Sequence, residues 1–158
     1  MKAVSGVLAA LWMGAMVWCA FAQEAQPVTA ALTIVPADGV KPGQDVELRI
    51  TLNIPPPWHV YGSTPGPEGQ QPLEIDLKLP ADVEPLGQWA WPPHERVFAG
   101  HEVHVYNAGA HVFRRRIRIG DAVTLPLRLT GSLTFQACTP EFCAPVETIE
   151  LSAVISAG

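Results

Sequence analysis

Apolar and polar residues alternate over long parts of this sequence, and the alternation strongly limits what the chain can fold into. Every second residue from Val46 to Ile54 is aliphatic, and residues 73–79 repeat the pattern. A period of two is typical of a β-strand that buries one face. Shorter segments of the same kind predict further strands at residues 28–35, 103–106, 112–119, 123–129, 133–135 and 148–154.

Proline and glycine clusters separate these predicted strands. They include Asp38-Gly39, Pro42-Gly43 and Pro92-Pro93, and such pairs favour turns. After residue 22 the sequence shows no helical periodicity, no internal repeat and no long linker. Many short strands with one-sided burial predict an all-β fold: a single antiparallel, immunoglobulin-like β-sandwich.

The first 22 residues are typical of a cleaved secretion signal. A basic residue near the start precedes an apolar stretch, and Ala20-Phe21-Ala22 is a small-x-small cleavage site. A lipoprotein signal at Cys19 is disfavoured because the bulky Trp18 precedes it. We therefore expect residues 1–22 to be removed on export and residues 23–158 to form the mature domain. No later segment has the length and apolarity of a membrane span.

Removal of the signal leaves two cysteines, Cys138 and Cys143, with four residues between them. An even count in an exported chain favours a disulfide. Alternating segments flank the pair on both sides, so a β-hairpin would place the thiols opposite each other. Directly paired Cα atoms lie about 4.5 to 5.5 Å apart, and a disulfide accommodates that distance.

The position of this disulfide favours a redox role over a structural one. In the chain-entropy model a ring of about six residues adds roughly 2 kcal/mol, against roughly 4 to 5 kcal/mol for a loop near 100 residues. Two other interpretations stay open: an immunoglobulin-like interaction module with an inert disulfide, and a copper- or other metal-binding module. The metal-binding module would combine the two thiols with histidines such as His59, His94, His101 and His104.

The charge of the chain argues against a nucleic-acid partner. The formal net charge is −5 and the sequence pI is about 5.4, so the basic surface typical of nucleic-acid-binding proteins is missing. One basic cluster, Arg114-Arg115-Arg116-Ile117-Arg118, lies in a predicted strand. Strand alternation divides those arginines between two faces, which favours a solvated strand.

Three motifs together resemble one known family. They are Pro56-Pro57-Trp58-His59-Val60-Tyr61, then Trp89-Ala90-Trp91-Pro92-Pro93 followed by Phe98-Ala99-Gly100, and finally Gln136-Ala137-Cys138 continuing to Cys143-Ala144-Pro145. The pattern, over about residues 28–154, resembles the N-terminal periplasmic domain of the thiol:disulfide interchange protein DsbD. It is most similar to free-standing relatives with a C-x4-C pair.

The resemblance implies a periplasmic thiol–disulfide oxidoreductase of the protein-disulfide reductase type. Its cysteine pair would take electrons from a membrane-coupled, thioredoxin-like donor supplied as a separate chain. The pair would pass them to disulfide isomerases or cytochrome c maturation thioredoxins. The resemblance implies no cofactor and no metal. Cys143 would form the mixed disulfide with the partner, and Cys138 would resolve it.

The resemblance also assigns roles to residues around the pair. Phe98 would be the cap that shields the disulfide, and His59 and Tyr61 would stand beside the active site. In well-known members an acidic pair precedes the cap phenylalanine, but this chain has Arg96-Val97 there. Glu95 is therefore the carboxylate that we expect near the site, with Glu102 as the other candidate.

Overall fold

The computed structural model describes residues 28–158, so the predicted signal at residues 1–22 lies outside the described part. That part contains eleven strands and no helix, and hence no helix that could cross a membrane. The strands are β1 Thr29–Val35, β2 Asp45–Ile54, β3 His59–Tyr61, β4 Glu74–Lys78, β5 Val83–Ala90, β6 Glu95–Phe98, β7 Glu102–Tyr106, β8 Gly109–Ile119, β9 Leu127–Phe135, β10 Ala137–Cys138 and β11 Glu147–Ile155.

The strands form three sheets, and every pairing between them is antiparallel. Two sheets, with strand orders β1-β2-β8-β5 and β11-β9-β4, enclose the main hydrophobic core. The third has the order β10-β3-β7-β6, and we call it the cysteine sheet. The predicted antiparallel β-sandwich is confirmed.

The alternation that predicted β2 is also what builds the core. Its aliphatic residues from Val46 to Ile54 are almost completely buried, whereas the polar residues between them are partly or fully exposed. Burial of one such side chain stabilises the fold by roughly 1.5 to 3 kcal/mol relative to exposure. The main core therefore rests on many side chains of this kind. On β8, Arg114, Arg116 and Arg118 are exposed on one face and Arg115 projects from the other.

The prediction was wrong for the segment before β9. Residues 123–126 form no strand, although Val123 and Leu125 pack against the core. β9 instead runs from Leu127 through Phe135, so that two predicted segments form one strand. The glycine within it is required by close packing, since a Cβ at Gly131 would stand 2.5 Å from the carbonyl oxygen of Asp76 on β4.

The two faces of the cysteine sheet have different surroundings. The chain leaves the sandwich after β9, adds β10 to the edge of β3, and returns to pair with β9 as β11. Val60, Tyr106 and Ala137 belong to the main core, and they define the inner face of the sheet. Because strand residues alternate in direction, Cys138 and its neighbours project from the opposite, outer face.

Candidate functional site

Cys138 and Cys143 form a disulfide at the tip of a narrow hairpin, as predicted. The S–S distance is 2.03 Å and the two Cα atoms are 4.0 Å apart. The cysteines face each other as an antiparallel bridge, and the next residue pair closes it with a hydrogen bond from Thr139 N to Phe142 O at 2.7 Å. Such a position, flanked by hydrogen-bonded pairs, is the one in which antiparallel strands come closest.

The four residues between the cysteines form an ordered turn. The buried hydroxyl of Thr139 accepts hydrogen bonds from the backbone N–H groups of Glu141 and Phe142, each at 3.2 Å. Side-chain hydroxyls stabilise turns in this way. The ring of Phe142 contacts that of Trp58 edge to face, with centroids 5.5 Å apart. These contacts were not predictable from the sequence, because they depend on which loops meet in space.

The two cysteines differ in exposure. Cys138 is only 1% exposed and packs with Tyr61, Val103 and Val105 in a small apolar cluster. Cys143 lies at the margin of this cluster and is partly exposed. Thiol–disulfide exchange requires access of the attacking sulfur to one sulfur of the bond. Of the two cysteines, Cys143 is the more exposed.

A cleft of about 520 Å³ lies over the disulfide. One wall is the turn between the cysteines, and the other is the loop segment 67–70. The charged side chains that line it within the described residues are the carboxylates of Glu68 and Glu141. A nearby negative charge disfavours a thiolate. The residues that line the cleft also include no cationic side chain of the kind that activates many reactive thiols.

His59 and Tyr61 stand next to Cys138 on the outer face. His59 is the direct cross-strand partner of Cys138, and its Nε2 atom lies 3.4 Å from the hydroxyl of Tyr61. Burial lowers the pKa of His59 below its ordinary value. Burial, together with the charge of Glu68, raises the pKa of Tyr61. At neutral pH this pair is therefore a neutral imidazole beside a phenol that retains its proton.

Glu95 lies on the same outer face, on β6, two strands away from His59 and Tyr61 on β3. It lines a second cleft of about 250 Å³ together with His59 and Tyr61. Its carboxylate accepts a hydrogen bond of 2.6 Å from Asn107 Nδ2. The structure thus brings the three predicted neighbours together around Tyr61, which also lines the disulfide cleft.

Phe98 does not cover the disulfide in this structure. It pairs with Glu102 across the β6–β7 hairpin and is 81% exposed. By strand alternation, the neighbour of Phe98 that shares the outer face with Cys138 is Val97, which pairs with Val103. Ala99, in the turn that follows, packs against the apolar cluster around the cysteines.

The remaining predicted metal ligands are dispersed. His94 and His104 lie together with ring centroids 4.1 Å apart, and His104 bonds to Glu102 at 2.9 Å. That hydrogen bond lowers the pKa of Glu102. His101 instead bonds to the carbonyl oxygen of Pro65 at 3.1 Å. Over residues 28–158 no group of three or more His, Cys, Asp or Glu side chains is arranged to hold a metal ion.

Fold and site together define an antiparallel β-sandwich domain with a partly exposed disulfide at a hairpin tip. The sequence model of the N-terminal domain of the thiol:disulfide interchange protein DsbD matches residues 22–154. The chain belongs to this family, as the three motifs indicated. Among curated proteins none matches the chain significantly.

Two solved structures of related domains are similar to this chain. The N-terminal periplasmic domain of ScsB from Proteus mirabilis is similar over 80% of this chain, with 22% identity and a TM-score of 0.51. The match spans 44% of that protein chain. The N-terminal domain of DsbD from Neisseria meningitidis, in its reduced form, is similar over 82% of this chain and 86% of its own, with 14% identity and a TM-score of 0.48.

Proposed function

We propose that this domain carries two electrons at a time between thioredoxin-like proteins, using Cys138 and Cys143 as its redox-active pair. Membership of the DsbD N-terminal family supports thiol–disulfide exchange as the activity. The observation that carries the assignment to this pair is its placement in a cleft, with Cys138 buried and Cys143 partly exposed. A disulfide with a purely structural role needs no such access.

In the reducing direction the exchange has two steps. The thiolate of Cys143 attacks a partner disulfide, so a bond forms between the Cys143 sulfur and one partner sulfur while the other partner sulfur leaves as a thiolate. Cys138 then loses its proton and attacks the Cys143 sulfur. The Cys138–Cys143 bond forms, the second partner sulfur leaves, and each departing thiolate takes up a proton. The partner gains two electrons and the pair loses two.

Two groups near the pair are proposed to assist proton transfer. His59 is neutral at neutral pH and adjacent to Cys138, so its imidazole can accept the proton that Cys138 must lose. Tyr61 contacts both His59 and the apolar cluster around Cys138, and it orients the imidazole. Glu95 lines the second cleft together with His59 and not the cleft over the disulfide, and we assign it to the surroundings of His59. Shielding by Phe98 stays a prediction.

The wider setting of the domain is part of the same proposal. We propose that residues 1–22 direct export and that residues 23–158 act in the periplasm as one domain. A thioredoxin-like donor coupled to a membrane protein would supply electrons, and isomerase or cytochrome c maturation thioredoxins would accept them. The similarity of this chain to the N-terminal periplasmic domain of ScsB supports this location.

Single-cysteine variants test the assigned roles. Reduced Cys138→Ala and Cys143→Ala proteins are mixed with glutathione disulfide at pH 7, and mixed disulfide is followed by mass spectrometry. We expect the variant that keeps Cys143 to react about tenfold faster or more, because its sulfur is accessible. Faster reaction of the variant that keeps Cys138 would reverse the roles, and no reaction of either would contradict the exchange function.

A further inference from the structure

Gln136 connects three segments that meet at the disulfide. It lies between β9 and β10 and lines the disulfide cleft. Its side-chain oxygen accepts a hydrogen bond of 3.1 Å from the backbone N–H of Gln71. Its side-chain nitrogen donates a hydrogen bond of 2.9 Å to the carbonyl oxygen of Ala144. One amide therefore connects the chain before Cys138, the chain after Cys143 and the loop opposite.

The bond to Ala144 holds the second cysteine arm. The backbone N–H of Ala144 also donates to the carbonyl oxygen of Ala137 at 2.9 Å. Both backbone groups of the residue after Cys143 are therefore bound to the two residues before Cys138. These bonds join the arms at the open end of the hairpin, and neither includes a sulfur atom. They do not require the S–S bond.

The bond to Gln71 holds the opposite wall of the cleft. Gln71 follows the segment 67–70, whose residues line that wall. The side chain of Gln71 points elsewhere, donating to the carbonyl oxygen of Pro72 and to Glu74. The contact with Gln136 is therefore made by the backbone of Gln71 alone.

We propose that Gln136 is a positioning residue that keeps Cys143 next to Cys138 after the disulfide has been reduced. This inference rests on the exchange function proposed above. Closing the ring requires both sulfurs to meet, and arms that are already held together lose less conformational freedom on closure. Gln136 thereby favours the oxidised pair and speeds the attack of Cys138 on a mixed disulfide at Cys143.

The reduction potential of a Gln136→Met variant tests this role. Methionine has a similar length, but it cannot donate to Ala144 and is only a weak acceptor for Gln71. We expect the equilibrium constant for ring closure to fall about three- to tenfold, which makes the potential about 15 to 30 mV less negative at 29.6 mV per tenfold change. Resolution of a mixed disulfide at Cys143 should be slower in Gln136→Met than in the wild-type protein by a similar factor, and Cys138→Ala gives the baseline without resolution. An unchanged potential would overturn the proposal.

Two further variants separate the contacts. Gln136→Glu keeps an acceptor for Gln71 but loses the donor to Ala144, so it should match the shift of Gln136→Met. It also carries the test if the methionine variant does not fold. Gln71→Ala is the matched control and should keep the wild-type potential. A wild-type potential in Gln136→Glu, or a shift in Gln71→Ala, would overturn the assignment.

Melting of both redox forms distinguishes positioning from a general loss of stability. A purely structural role lowers the melting temperature of the oxidised and reduced forms equally and leaves the potential unchanged, which would contradict the proposal. A potential of the wild-type protein outside the working range of exchange proteins would reject the proposed function. The difference between variant and wild type would still test Gln136, so the two failures are distinguishable.

Discussion

The inner and outer faces of the cysteine sheet differ in the apolar clusters to which their side chains belong. On the inner face, Val60, Tyr106 and Ala137 merge with the main core of the sandwich. On the outer face, Cys138 belongs to a much smaller apolar cluster. Tyr61 lines both open clefts, and His59 lines the second. The comparison separates stability from chemistry: the inner face anchors the sheet, and the outer face leaves one sulfur accessible.

A matched pair of tyrosine substitutions sharpens this comparison, and we expect it to give the largest effect. Tyr106→Ala removes a ring that is 1% exposed and contacts Phe113 and His94. It should lower the free energy of unfolding by about 3 to 5 kcal/mol. Tyr61→Ala, on the outer face, should cost less but make the disulfide easier to reach for dithiothreitol.

Urea unfolding and the rate of disulfide reduction measure the two effects. The comparison fails if Tyr61→Ala costs as much unfolding free energy as Tyr106→Ala. It also fails if the rate of reduction, measured in conditions where both variants are folded, rises equally in the two.

The β6–β7 hairpin provides the second test. Val97 shares the outer face with Cys138, whereas Phe98 is exposed on the other side. We expect Val97→Ala to raise the rate of reduction by small thiols about two- to fivefold, because Val97 lines the second cleft beside Tyr61, and Tyr61 also lines the cleft over the disulfide. Phe98→Ala should change that rate less. A larger increase in Phe98→Ala would instead support the cap role that the family resemblance assigns to this phenylalanine.

The smallest expected effect concerns pH. The pKa of His59 in the folded state is lowered by burial from 6.5. Below about pH 6.5 the unfolded chain therefore binds more protons at this residue than the folded chain, and stability falls as the pH decreases. His59→Gln should lose less unfolding free energy than wild type between pH 7.5 and pH 5.5. Urea unfolding at the two pH values measures these losses. If wild type and His59→Gln lose the same unfolding free energy, His59 is excluded as the cause.

The fold followed from the sequence because burial on one face leaves a period-two pattern. That pattern located β2, β4 and β8, and glycine and proline marked the turns. β5 and β6 were missed because few of their residues are buried, so their sequences carry no period-two apolar pattern. The segment with Val123 and Leu125 was wrongly predicted to be a strand, because apolar residues in loops also pack against the core.

The site was predictable where chemistry restricts the residue type. Only cysteines form a disulfide, so Cys138 and Cys143 could be identified from their count and spacing. The contacts of Gln136, Thr139 and Trp58 could not, since each joins segments whose meeting depends on the whole topology. Register likewise decided that Val97 and not Phe98 shares the face of Cys138.

The central claim is that the Cys138–Cys143 bond is made and broken in use, and its reduction potential tests this most directly. The purified mature protein is equilibrated with defined glutathione or dithiothreitol buffers, and free thiols are counted. We predict a potential between about −180 and −270 mV, the range of working exchange proteins. A potential below about −300 mV would place the bond among structural disulfides and contradict the account.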